Sequence, residues 1–160
     1  AKGSFGINVG WKGITLNAVF NYSYGAKKLS PYYESLITSR GTGVASVDLV
    51  DRWSPENTDA KFPRPIYNDP TDTETMYYNT FSASQMDFSV QNASYLRLST
   101  LSLAYTFPKT IVEKMKIGNL RVYSTISNVF CWTSYKGYDP ETGDWYPPTR
   151  MFVFGLSVSL

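Results

Sequence analysis

Alternation with a period of two residues runs through both ends of this chain and confines its fold to β-strands before anything else is considered. In Phe5-Gly6-Ile7-Asn8-Val9-Gly10-Trp11 every odd position is large and apolar, and every even one is small or polar. Lys12-Gly13 then reads as a two-residue hairpin turn. The pattern resumes with Ile14, Leu16, Ala18, Phe20, Tyr22 and Tyr24 on one face, and Thr15, Asn17, Val19, Asn21 and Ser23 on the other. Each run has about the 9–11 residues that a tilted strand needs to cross a bilayer.

The same reading places strands at about 4–11, 14–24, 94–107, 119–130 and 149–160. The third is closed by Pro108, and Lys109 to Gly118 is a short helical turn or connector ended by glycine. In the last, Phe152, Phe154, Leu156, Val158 and Leu160 share one face. Residues 25–93 break the rhythm with Pro31, Pro55, Pro63, Pro65 and Pro70, and Leu36 to Val50 has room for a short helix or strand. A connection of roughly 65–70 residues is foreign to compact soluble domains, where about 4–6 is usual. Residues 131–148 form a second, turn-rich loop around Asp139-Pro140 and Thr142-Gly143. Short and long connections thus alternate, as in bacterial outer-membrane barrels with short periplasmic turns and longer extracellular loops.

Composition excludes most other chemistry. There is no histidine and one cysteine, Cys131, so Ser-His-Asp and Cys-His catalysis, Cys/His zinc sites and an intrachain disulfide are ruled out. The net charge of +2 gives no field that would favour nucleic acid. Aromatics reach 16% against 18% charged residues, which suits strands with wet tips. Without a run of about 18 apolar residues there is no transmembrane helix. No signal peptide is visible at Ala1-Lys2-Gly3-Ser4.

Arg97 conflicts with a simple alternation, because it falls on the face of Leu101, Leu103, Tyr105 and Phe107. An arginine facing lipid at mid-membrane costs roughly 2–4 kcal/mol, and about 0–1 near the interface. Ten residues above Phe107, at about 3.3 Å per residue and about 45° of tilt, it rises roughly 23 Å, near the rim of the apolar band. A bulge at Ser99-Thr100 would be the other way out. Arg121, sharing its face with Tyr123, Thr125 and Ser127, raises no conflict.

Five strands are too few to close a membrane barrel, whose smallest bacterial members have about eight. An open edge in hydrocarbon leaves unsatisfied N–H and C=O groups at several kcal/mol each. The remaining strands are therefore expected from a longer polypeptide, with Ala1 an internal cut and Leu160 a true C-terminus.

Particular blocks then point to a family. Asn92-Ala93-Ser94-Tyr95-Leu96-Arg97-Leu98-Ser99-Thr100-Leu101-Ser102-Leu103-Ala104-Tyr105-Thr106-Phe107-Pro108-Lys109 resembles the end of SusC/RagA-type TonB-dependent transporters of Bacteroidetes. The likeness continues through Leu120-Arg121-Val122-Tyr123, Ser127-Asn128-Val129-Phe130, Tyr135 to Glu141 and Tyr146-Pro147-Pro148-Thr149-Arg150. Tyr22-Ser23-Tyr24-Gly25 and Asp51 to Asn57 resemble the preceding hairpin and its long loop, and Leu160 stands where these proteins usually end in an aromatic. The resemblance implies an all-β fold: the last five antiparallel strands of a transmembrane outer-membrane β-barrel of about 22 strands, with long extracellular loops. It also implies import of oligosaccharides or peptides, a SusD-like surface lipoprotein as partner, the rest of the barrel with its plug, and TonB reached through an N-terminal part not in this chain. It implies no cofactor and no catalysis.

Six aromatics in or beside the expected loops, Trp53, Tyr77, Tyr78, Trp132, Trp145 and Tyr146, are candidates for cargo or partner contact, since aromatic faces suit sugar C–H surfaces and apolar peptide groups. Loop packing and a membrane girdle are the plainer explanations. The stripe Phe152, Phe154, Leu156, Val158 and Leu160 is the candidate insertion and closure strand. Asp139, Glu141 and Asp144 lack an EF-hand pattern and read as a solvated turn. Asp48 with Asp51, and Asp69 with Asp72, read as solvated loop charge, and Cys131 as a small buried hydrophobe. A soluble β-sandwich carbohydrate-binding module is the competing architecture, disfavoured by the uneven loops and the oily strand faces.

Overall fold

The computed structural model describes residues 1–37, 44–62, 89–143 and 146–159. Within them lie β1 (Lys2–Trp11), β2 (Ile14–Ser23), β3 (Lys27–Leu29), α1 (Pro31–Ile37), β4 (Val90–Asn92), β5 (Tyr95–Thr106), α2 (Lys109–Val112), β6 (Asn119–Thr133) and β7 (Met151–Ser159). Short 3₁₀ turns occupy Val47–Asp51 and Glu113–Met115. The chain divides into two units, one of residues 1–25, 94–134 and 148–160, the other of residues 26–93 and 135–147.

The first unit is one antiparallel sheet in the order β1-β2-β5-β6-β7. Its β1–β2 hairpin closes through Lys12 at φ 46° and Gly13 at φ 87°, the two positive values of the tight turn whose twist matches its strands. Register carries the alternation across all five strands. Ala18 stands opposite Leu101, Leu101 opposite Ile126 and Ile126 opposite Phe152. One step on, Leu16, Leu103, Ser124 and Phe154 form the next row. The opposite face carries Asn8, Asn17, Ser102, Thr125 and Val153, with Ser102 and Thr125 hydroxyls 2.9 Å apart.

The apolar face is uncovered. Phe5, Ile7, Val9, Trp11, Phe152, Phe154 and Leu156 are all exposed, Phe154 to 77%. Burial of one such side chain stabilises by about 1.5–3 kcal/mol, and water-soluble monomers rarely show apolar patches beyond a few hundred Å². Such a face fits acyl chains. A sandwich would bury it under a second sheet about 10 Å away, whereas all five long strands lie in one sheet. β1 and β7 are its two edges, so the wall is not closed by this chain.

Arg97 is resolved by the bulge and not by depth. The ladder between β2 and β5 slips between Val19 and Phe20, so that Val19 pairs with Thr100 and Phe20 with Leu98. Ser99 is the extra residue, and its hydroxyl donates to the Val19 carbonyl at 2.9 Å. Beyond the slip Leu98 and Leu96 take over the apolar face, and Arg97 turns to the polar one, opposite Asn21 and Cys131. Its guanidinium lies 5.6 Å from the Tyr95 ring centroid, and the residue is only 5% exposed. β6 answers with its own irregularity, Asn128 at φ 53°, whose amide donates to the Thr149 carbonyl at 2.8 Å.

Other boundaries shift modestly. β6 runs on to Thr133, beyond the expected end at Phe130, because Leu96 and Tyr95 continue to pair with Trp132 and Thr133. The 109–118 connector is helical as expected, but its left-handed stop is Lys116 at φ 58°, ahead of Gly118.

Candidate functional site

The second unit is an assembled structure built from both long connections. Its first piece follows from local chemistry. Ser30 precedes Pro31, the residue that suits a helix's first position, and the buried Ser30 hydroxyl accepts the Tyr33 N–H at 3.1 Å. α1 presents Tyr33 and Ile37 to Leu49 and Phe62, which together form a small buried cluster. Phe62 is fixed by backbone pairing, accepting the Trp53 N–H at 2.8 Å. β3 and β4 pair antiparallel, Lys27 opposite Asn92 and Leu29 opposite Val90.

Residues of the second connection lock onto this frame. The Lys28 ammonium donates to the carbonyls of Pro140 and Glu141 at 3.4 and 3.1 Å. Buried Tyr135 donates its hydroxyl to the Leu29 carbonyl at 3.3 Å, and the Lys136 N–H donates to Gln91 Oε1 at 2.9 Å. Asp139 is 3% exposed, and its Oδ1 accepts the N–H groups of Glu141 and Thr142 at 2.8 and 2.9 Å. The expected solvated turn is thus wrong at Asp139: an aspartate that accepts backbone N–H groups two and three residues on can be buried as the hub of the turn.

Asp48 is the other correction to the solvated reading of loop carboxylates. Its Oδ2 accepts the Tyr33 hydroxyl at 2.6 Å, the Ser46 hydroxyl at 3.1 Å and the Lys136 ammonium. The Lys136 bond first, then the Tyr33 bond, holds the Asp48 carboxyl down at about 2. Burial, reinforced by the Asp48 bond and charge, raises the Tyr33 hydroxyl above its usual range. A carboxylate so acidic and so fully engaged is a poor general base near neutral pH. Its role is to tie 3₁₀ turn, helix and second connection together. Asp51 accepts from the Asn57 amide at 3.2 Å, and Asp69 and Asp72 lie outside the described residues.

Several aromatic rings of this unit are exposed. Tyr32 on α1 and Tyr138 from the second connection stack at 4.6 Å between centroids with 32° of tilt, and both are exposed. Trp53 and Tyr146 are exposed as well. Sequence reasoning missed Tyr32 and Tyr138, because only the long-range closure of the loops brings them together. Trp132 lies in the sheet unit, on β6 opposite Leu96, on the apolar face and edge-on to Phe130 at 4.8 Å. Tyr77, Tyr78 and Trp145 lie outside the described residues. On β7, Phe152, Phe154, Leu156 and Val158 line the apolar face at the sheet edge, and Leu160 lies outside the described residues.

Comparison with known proteins agrees with this geometry. No family model matches the chain. It is 28% identical to TonB-dependent receptor P3 of Formosa agariphila across 96% of its length, and so spans 16% of that receptor. An 80-residue stretch, 45% of the chain, is 39% identical to TonB-dependent receptor SusC of Bacteroides thetaiotaomicron and spans 8% of it. Among solved structures, the RagAB peptide transporter matches 99% of the chain at 28% identity with a TM-score of 0.72, and the 'open-open' state of the RagAB peptide importer matches with 0.71. In each of these two structures the chain covers 17% of its counterpart. One sheet with an apolar and a polar face matches the RagAB transporter along almost the whole chain, and on that agreement the chain resembles part of the SusC/RagA-type TonB-dependent receptors.

Proposed function

We propose that this chain is a section of wall and surface loops in an outer-membrane importer that takes up oligosaccharides or peptides together with a SusD-like lipoprotein, energised through TonB. The observation that carries the reading is the five-strand sheet whose largely apolar face runs from β1 to β7 and which matches a barrel transporter. In this reading the short connections at 12–13 and 107–118 are periplasmic turns, and the long connections 25–93 and 131–148 are extracellular loops. Plug and TonB contact belong to other parts of the receptor. The section carries no catalysis.

The exposed rings Trp53, Tyr146, Tyr32 and Tyr138 provide cargo or partner contacts, together with Tyr77, Tyr78 and Trp145 of the same two loops. Rings bind C–H faces of sugars and apolar peptide groups without needing charge. β7 serves insertion and closure, pairing with the first strand of the barrel.

The full-length receptor tests this. Recovery in the outer-membrane fraction with heat-modifiable migration is expected, and so is growth on an oligosaccharide or peptide source that is lost on deletion of TonB or of the lipoprotein. A soluble receptor would overturn the reading, as would uptake indifferent to both deletions.

A further inference from the structure

At the end of the sheet bearing the two short connections, rings and cations gather in a way that transport itself does not require. Trp11, Ile14 and Tyr105 form the last full row of the apolar face, and Phe107 meets Tyr105 edge-on at 4.9 Å. Beyond this row stand Lys12 in the hairpin turn and Lys109, Lys114 and Lys116 in the connector, all exposed. Glu113 is the one acidic residue in these two connections, so four positive charges less one negative leave the rim at +3. Lys12 lies 4.9 Å from the centroid of the Trp11 ring, which places its ammonium at the margin of the apolar face. Lys109, Lys114 and Lys116 form no ion pair among the described residues. The connector is fixed through buried Val112, whose carbonyl accepts the Ile117 N–H at 3.1 Å, while Ile111 and Met115 are exposed beside the lysines.

We propose that this rim binds the headgroups of anionic phospholipid in the leaflet bordering the short connections. The inference rests on the reading of the sheet as barrel wall. Amphipathic Trp and Tyr rings settle at the boundary of acyl chain and headgroup, and lysine stems reach past them to phosphate. Exposed Ile111 and Met115 suit the same boundary, because an apolar side chain among cations is favoured where oil meets anionic headgroups. Charge complementarity selects the lipid: a zwitterionic headgroup cannot satisfy a +3 rim, and an anionic one gains about fivefold in preference per lysine near the surface.

The test uses the full-length receptor reconstituted in vesicles of phosphatidylcholine alone or mixed with phosphatidylglycerol, then extracted gently and weighed by native mass spectrometry. Retained phosphatidylglycerol is expected to exceed its bulk share several-fold. The triple variant Lys109→Gln, Lys114→Gln, Lys116→Gln is expected to return to the bulk ratio, and the corresponding Lys→Arg variant to keep the enrichment. Raised salt during extraction is expected to lower the enrichment of the unaltered receptor. A bulk ratio in the unaltered receptor would overturn the proposal, as would enrichment surviving the Gln variant. A receptor that inserts and is heat-modifiable yet shows no preference refutes the lipid site alone, whereas failure to enter either vesicle refutes the barrel reading as well.

Discussion

The Tyr123 ring lies across Gly155 on the neighbouring strand, so close that a β-carbon at position 155 would collide with its Cζ, Oη and Cε1. Glycine is needed at that point because a neighbouring backbone is covered by a large side chain. Gly155→Val is expected to destabilise the β6–β7 pairing by about 1–3 kcal/mol, the usual cost of overpacking. Tyr123→Ala in the same background should relieve most of that loss. Heat-modifiable migration of the full-length receptor, followed against temperature, reads both effects. Unchanged unfolding in the Gly155→Val receptor would show that the ring does not lie there.

The slip at Ser99 sets the face of every residue before it in β5. With Ser99 present and no slip, Arg97 would share the apolar face of Leu101 and Leu103, and Leu98 would turn to the polar one. The observed register does the reverse and turns Leu98 to the apolar face. A lipid-facing arginine costs about 0–1 kcal/mol near the rim and up to roughly 2–4 deeper. Leu98→Arg is therefore expected to cut assembled receptor in the outer membrane, while Leu98→Phe should be tolerated. Full assembly of the Leu98→Arg receptor would contradict the assigned register.

The strands were legible because their determinants are local. Phe5 to Trp11 and Met151 to Ser159 declare their faces with side chains two apart, and Lys12-Gly13 declares its turn. Arg97 showed where alternation failed and left depth and bulge as alternatives, since a bulge depends on the partner strand and not on the bulged sequence alone. The loop unit was largely illegible. Its ties join Lys28 to Glu141 and Asp48 to Lys136, about a hundred residues apart, and nothing periodic marks a residue for such a partner. Asp139 misled for the same reason, because a turn aspartate looks identical in sequence whether water or protein surrounds it.

The loop unit should respond to acid in a defined window. Asp48 is held at about 2 against an ordinary 3.8, chiefly by Lys136. A depressed folded-state value means that its contribution is complete above the unfolded value and is lost as pH falls from about 4 towards 2. Hydrogen exchange in α1 and the Val47–Asp51 turn of the full-length receptor is expected to stay constant from neutral to about pH 4 and to rise below it. Lys136→Met should raise exchange already at neutral pH. The change should be modest, about 0.5–1 kcal/mol, because the Lys136 side chain is 48% exposed and water screens the pair. Exchange in these segments that is indifferent both to the substitution and to acid would remove Asp48 as the tie.

Adjacent positions on β7 separate the two faces in a single experiment. Phe154 points to the apolar side, opposite Ser124, and Val153 to the polar side, opposite Thr125. If lipid covers the first and an aqueous or plug-facing interior the second, arginine at the two sites meets opposite solvents. Phe154→Arg is expected to cost roughly 2–4 kcal/mol and to deplete folded receptor, as a charge set near the middle of the hydrocarbon does. Val153→Arg should leave assembly nearly intact and alter only what passes the interior. In a water-soluble body the order would reverse, since the 77% exposed Phe154 would accept a charge more readily than phenylalanine itself. Measured yields of heat-modifiable receptor therefore decide which solvent the sheet was built for, without knowledge of cargo or partner.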